Sequence, residues 1–328
     1  MKERVVRVNR VWLAAVLVML GTSVAVAGLQ RVITDEGVLL FLNQVMIFLP
    51  SLIYLLVRGN PAQTIGVRRI PLVTVPMLIL LMVLLLPLIS TVNLLSMFFA
   101  ENLIGQTAES VLAGHSLMMS VVMIALVPAV FEEILFRGII YHDGYRHVSP
   151  VKGMLLCGLM FGLLHMNLNQ FCYAFLLGAV LCVVFEATGS ILSTMIMHFT
   201  LNAYSTLSLY AVQALGENEE LAAILGEAEE AAEMTPEMIK ETLLSILPVA
   251  VVTTILAYAL LQAIAKKCGR KEHLRAVFAK QTEPTTTWEA WEEPERKPSL
   301  ITPAWVIASL LCLGVMLMVQ FAGSIDML

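Results

Sequence analysis

Long uninterrupted runs of apolar residues dominate the chain, and short polar stretches punctuate them. Scanning for uncharged apolar runs of membrane-spanning length gives nine candidates, at 11–29, 38–57, 73–95, 117–136, 151–166, 171–185, 191–210, 243–265 and 302–321. The fifth and sixth are short, and only the polar turn 167–170 separates them. The pattern predicts an all-α fold, a polytopic transmembrane bundle of 8–9 spans. Four regions follow: N-terminal membrane helices at 1–114, a core at 115–211, an acidic extracytoplasmic loop at 212–242, and C-terminal helices at 243–328 with a basic, then Pro-rich, cytoplasmic loop.

Composition supports this partition. Of 328 residues, 59% are hydrophobic and 14% charged, against about 25% charged in an ordinary soluble chain. A water-soluble globular protein is excluded. So is a nucleic-acid binder, because no basic patch interleaves with aromatics. The five cysteines show no metal-ligand spacing and lie mostly in apolar runs, which argues against a disulfide framework or a cysteine zinc site.

The charges orient the chain. Lys2, Arg4, Arg7 and Arg10 precede the first span, Arg58, Arg68 and Arg69 follow the second, Arg146 and Lys152 follow the fourth, and a basic run from Lys266 to Lys280 follows the eighth. These are alternate loops, so the positive-inside rule puts the N-terminus in the cytoplasm. Between them, 215–242 carries nine Glu and one Lys, and belongs outside. The expected location is the plasma membrane, as a multi-pass protein. The first span, with Ala25-Val26-Ala27, also reads as a cleavable secretory signal. The run after the eighth span reads as a juxtamembrane anchor to acidic lipid, and Trp288 and Trp291 suit an interface.

Ionisable residues inside apolar runs carry the chemistry, because a charge near the bilayer centre costs at least ~2.5 kcal/mol. They are Glu132, Glu133 and Arg137 in the fourth span, His165 at the end of the fifth, and His198 in the seventh, with Asn202 one turn beyond it. Glu186 ends the sixth and reads as interfacial. Glu133 and Arg137 stand four apart, on one helix face, in the favourable order for an ion pair. Glu132 is rotated about 100° away and is left facing something else. Pro128 removes a hydrogen bond to the carbonyl of Ile124, and a kink there would admit water beside Glu132. The bland alternative is that both glutamates pair with Arg137 and pin the helix end. Glu132, His165 and the pair His198 and Asn202 sit in three separate spans, and each is costly in lipid unless the others or water satisfy it, so one shared polar site is expected. Depth arithmetic supports Glu132 with His198. His165 would stand about 21 Å above the start of its span, too high unless that helix begins below the membrane plane or tilts strongly. Gly158 and Gly162 form a small-xxx-small face that lets another helix approach.

These motifs, Glu132-Glu133-Ile134-Leu135-Phe136-Arg137-Gly138, Phe161-Gly162-Leu163-Leu164-His165 and His198-Phe199-Thr200-Leu201-Asn202, resemble those of the CPBP family of intramembrane endopeptidases. That family includes the type II CAAX prenyl proteases and bacteriocin-processing proteins. Gln170-Phe171, Ala174-Phe175, Gly178 and Thr188-Gly189-Ser190 extend the resemblance over about 115–211. It implies an enzyme that hydrolyses peptide bonds of membrane-associated substrates, lipidated or leader-bearing, within the bilayer. It further implies Glu132 as general base, His165 as the residue that holds the water, His198 and Asn202 as oxyanion stabilisers, and Glu133 with Arg137 as helix braces. No cofactor is expected. The alternative is a zinc site on Glu132, His165 and His198, and a second alternative is a non-catalytic immunity or scaffold protein.

Overall fold

The structure, a computed structural model, describes residues 1–30, 32–100, 112, 114–216, 235–279 and 298–325. The acidic stretch 217–234, most of the outer loop 101–116, and Trp288 and Trp291 lie outside these. Among the described residues every regular element is helical. The longer elements are α1 (Lys2–Leu29), α2 (Glu36–Arg58), a single turn α3 (Pro61–Thr64), α4 (Thr74–Ser96), α5 (Leu117–His147), α6 (Pro150–Leu164), α7 (Leu168–Thr188), α8 (Ile191–Gly216), α9 (Pro236–Lys267), the short α10 (Lys271–Phe278) and α11 (Pro303–Ile325).

Seven of these are long and apolar enough to cross a membrane: α1, α2, α4, α5, α7, α9 and part of α11. Two of the nine expected spans do not meet that test. α6 has 15 residues, roughly 22 Å at 1.5 Å per residue, short of the ~30 Å hydrocarbon thickness. α8 is long enough but dilutes its apolar run with Ser193, Thr194, His198, Thr200, Asn202, Ser205 and Thr206. Both are the helices that carry site residues.

Two boundaries differ from the sequence expectation, each for a stated reason. α1 begins at Lys2, well before position 11. Its first turns are held by burial of Val5 and Val8 and by Asn9, whose amide donates to Leu300 O and Thr302 Oγ1 at 2.8 and 3.0 Å. Tyr145 donates to the Asn9 side-chain oxygen. Similarly, α5 does not stop near residue 136. Its course is α-helical at Leu117–Ser120, π-helical at Val121–Leu126, α-helical at Val127–Glu133, π-helical again at Ile134–Gly144, and ends in a 3₁₀ turn at Tyr145–His147. The stretch expected as a polar loop from Tyr141 onward is therefore largely buried helix. Its polar groups find partners inside the protein: Tyr141 donates to Glu186 at 3.0 Å, and Asp143 accepts from Tyr54 at 2.5 Å and Arg58 at 3.2 Å.

The core bundle surrounds α5. α8 runs along its α- and π-helical segments, α1 packs on its second π segment, and α6 folds back beside it. α6 and α7 pack backbone to backbone. A Cβ on Gly158 would meet Phe175 O at 2.7 Å, one on Gly162 would meet Phe171 O at 2.8 Å, and one on Gly178 would meet the Gly158 Cα at 2.7 Å. The expected small-residue face is thus the α6–α7 seam. α4 closes the bundle against α7, α8 and α9, and α11 lies along α1.

Candidate active site

α5 presents two adjacent carboxylates in opposite directions, because consecutive helical residues are about 100° apart. Glu133 points into the protein and is fully buried. Its Oε1 accepts from Arg137 Nη1 at 2.7 Å and from His198 Nδ1 at 2.9 Å. Arg137 is equally buried, with its guanidinium carbon 4.5 Å from the centroid of the Phe161 ring, a cation–π contact that desolvation strengthens. Glu132 points away from this pair. Its side chain keeps 27% of its exposure and its Oε2 stands 3.8 Å from His198 Nε2. His198 is therefore clamped between the two glutamates, one on each ring nitrogen.

Glu132 faces a cavity of about 610 Å³. The same cavity is lined by His165, His198 and Asn202, whereas Glu133 and Arg137 do not reach it. Four of the six sequence-selected residues thus meet in one space and the other two stand behind its wall.

The height objection to His165 is resolved by the connection between α5 and α6. α5 continues to His147 and α6 starts at Pro150, so a tight turn joins two antiparallel helices. Glu132 precedes that turn by the same number of residues as His165 follows it, which brings the two to similar levels. Met166, the next residue, adopts a left-handed backbone (φ 50°), so the chain reverses at once into α7, where the Asn167 side chain caps Gln170 N at 2.8 Å. His165 Nδ1 lies 2.8 Å from Phe161 O. A carbonyl only accepts, so Nδ1 holds the hydrogen and Nε2 is left to accept.

Asn202 donates to Ile124 O at 3.4 Å. That carbonyl is the one whose α-helical partner would be the missing N–H of Pro128. Pro128 stands at the start of the α-helical window 127–133, directly after a π segment. Such π insertions are rare and concentrate at functional sites.

Several residues here escaped the sequence reading. Phe161 is a hub: its ring lies 4.9 Å from His165 and 5.7 Å from His198, both edge-to-face, and 5.1 Å from Phe136. Its carbonyl also sets the tautomer of His165. Asn43, Gln44, Ser90, Asn93, Tyr173 and Ser205 add uncharged polar groups to the cavity wall. The available signal was that neutral polar side chains are also costly in an apolar span, whereas Asn202 was the one neutral residue given a place in the site. Glu186, read from the sequence as interfacial, is enclosed by the protein itself. It is 1% exposed and binds Tyr141, Arg146 at 3.0 Å, Arg270 at 3.3 Å and His273 at 2.6 Å. Four donors from three segments withdraw it from water. Among the described residues, no three His, Cys, Asp or Glu side chains are disposed to hold a metal ion.

The interior cavity of this helical bundle therefore gathers a carboxylate, two imidazoles and an amide. In comparison with known families, residues 114–204 match the family model described as type II CAAX prenyl endopeptidase Rce1-like. This supports the CPBP resemblance of the motifs, and the matched segment holds every one of the six residues discussed above. Over that segment the chain is similar to CAAX-protease-like intramembrane endopeptidases. Searches of curated proteins and of solved structures found no match.

Proposed function

We propose that this protein hydrolyses peptide bonds of membrane-associated substrates with a water activated by Glu132. The observation that carries the proposal is the division of labour between neighbours: Glu133 is consumed by Arg137 and His198, and Glu132 alone opens on the cavity. A membrane protein that needed only a helix brace would have no use for the second carboxylate.

In this scheme Glu132 takes a proton from the water, and the water oxygen attacks the scissile carbonyl carbon. His165 Nε2 accepts the other hydrogen of that water and aims it. As the carbonyl π bond opens, the oxyanion receives hydrogen bonds from the Asn202 amide, released from Ile124 O, and from His198 Nε2–H. The role of His198 requires hydrogens on both ring nitrogens, Nδ1–H being held by Glu133. Collapse of the tetrahedral intermediate breaks the C–N bond, and the proton on Glu132 passes to the leaving amine. Glu133 and Arg137 position His198 and fix the helix. Zinc on Glu132, His165 and His198 would instead supply a Lewis acid and a metal-bound water.

The cavity wall is mixed, with Met19, Leu86, Ile89, Leu164 and Leu209 beside the polar set, which suits a peptide carrying apolar or lipidated residues. The test is cleavage of a peptide library by purified protein, with and without chelator, with Glu132→Gln as control. Cleavage that resists chelation and fails in the variant supports the scheme. Loss on chelation that zinc restores would move the mechanism to the metal, and cleavage by Glu132→Gln at the normal rate would end it.

A further inference from the structure

A second concave site lies away from the cavity, where three chain reversals converge. One is the loop after α3, the second the α7–α8 turn, the third the α9–α10 turn. Together they enclose a basin of about 390 Å³ lined by Arg68, Arg69, Pro71, Thr188, Lys267, Cys268, Gly269 and Arg270.

The backbones that carry these side chains are locked to one another. Ser190 Oγ donates to Arg68 O at 2.6 Å and accepts from Arg68 N at 3.3 Å, and Ile191 N donates to Gly66 O at 3.1 Å. Gly189 (φ +74°) ends α7, and the Arg270 stem crosses directly over it: an added Cβ would meet Arg270 at 3.0 Å. Gly269, also left-handed (φ +67°), turns the chain out of α9. Arg270 Nε then donates to Glu186 O at 2.8 Å. The Ser190 hydroxyl and the Arg68 main chain are thus engaged with each other, and the exposed Arg68, Arg69 and Lys267 bring positive charge to the basin.

That charge is uncompensated. Arg270 is paired with Glu186, but Arg68, Arg69 and Lys267 make no ion pair among the described residues. Burial and the neighbouring guanidiniums of Arg146 and Arg68 lower the proton affinity of Arg270, the mark of cations crowded together. Three like charges around one concavity raise the local positive potential, which favours an anion there. The ends of α7 and α9 and the starts of α4 and α8 share this face, which puts the basin at the level where membrane helices leave the hydrocarbon.

We propose that this basin binds the phosphate of an anionic phospholipid headgroup, with Arg68 and Arg69 as the principal donors and Lys267 as a point charge. The site is independent of the hydrolytic cavity and of the reading given to it. Guanidinium forks match phosphate oxygens bidentately, and the loop backbone that carries Arg68 is already held in place by Ser190.

The test uses the intact protein in detergent, titrated with phosphatidylglycerol, with phosphatidylcholine and with inorganic phosphate, bound lipid being counted by native mass spectrometry and stabilisation by thermal unfolding. The expected result is a preference for phosphatidylglycerol over phosphatidylcholine that weakens about fivefold for each charge removed in Arg68→Gln, Arg69→Gln and Lys267→Gln. Arg10→Gln, an exposed cation elsewhere on the chain, leaves it unchanged. Inorganic phosphate that stabilises equally well and is lost in the same variants would keep the site but replace lipid by a soluble anion. No preference for the anionic lipid, with no stabilisation by phosphate, overturns the proposal. So does an equal loss in Arg10→Gln, which would reduce the effect to general surface charge.

Discussion

His198 Nδ1 lies 2.9 Å from Glu133 Oε1 while its Nε2 lies 3.8 Å from Glu132 Oε2. One imidazole therefore links a fully buried ion pair to a carboxylate that faces open space. The first contact is within hydrogen-bond distance and fixes the ring. The second is longer than a hydrogen bond, so both the Nε2 of His198 and the Glu132 carboxylate stay available to the cavity.

Glu132→Gln is expected to lower peptide cleavage by at least about 10²-fold, the lower range for losing a general base, with thermal unfolding in detergent little changed. The substitution keeps size and partial exposure, and removes only basicity. Cleavage assays on the folded variant decide it; wild-type rates would show that another group activates the water.

Arg137→Met is expected to destabilise by about 3–5 kcal/mol, because it removes the guanidinium partner of a fully buried carboxylate and leaves Glu133 with the His198 Nδ1 contact alone. Adding Glu133→Gln should recover most of that loss in the double variant, since an apolar replacement of a buried pair is often neutral. Activity should not recover with it, because the glutamine oxygen can still accept from His198 Nδ1 but lacks the negative charge that Glu133 sets against the ring. Paired unfolding and cleavage measurements separate the two effects. Rescue of activity along with stability would show that His198 needs no anchor.

Asn202→Ala is expected to reduce kcat by about 10²–10³-fold, as for loss of one oxyanion donor, with KM close to unchanged. If instead stability falls and kcat holds, Asn202 serves only the Ile124 carbonyl that Pro128 leaves without its α-helical partner.

Gly162→Ala places a methyl group 2.8 Å from Phe171 O, a backbone atom that cannot move aside. Overpacking of this kind costs about 1–3 kcal/mol. It should push α6 off α7 and carry His165, three residues further on, out of register with Glu132. The expected outcome is a loss of cleavage larger than the modest loss of thermal stability alone would give.

Much of the site was legible along the chain. Glu133 and Arg137 declare their pairing by a four-residue spacing, and Glu132 declares its separation from them by being one residue away. The rest depended on contacts between distant segments. The bond from His198 to Glu133 joins residues 65 apart, and no local spacing encodes it. Phe161 reads as one more apolar residue until its ring is seen between two histidines and a guanidinium. Glu186 reads as a helix-end charge until Arg146, Arg270 and His273 close around it.

Apolar run length by itself determined that the protein is a helical membrane bundle, because in a bilayer each helix must satisfy its own backbone and so announces itself locally. It also determined which few residues were too expensive to be there without a purpose. The tertiary structure decided where α5 ends, that Glu132 faces the cavity while Glu133 stays with Arg137, and how the α5–α6 turn brings His165 into the cavity with Glu132. Helix ends and side-chain directions inside a bundle are set by which neighbours can satisfy each polar group, and those neighbours come from parts of the chain that no local pattern connects.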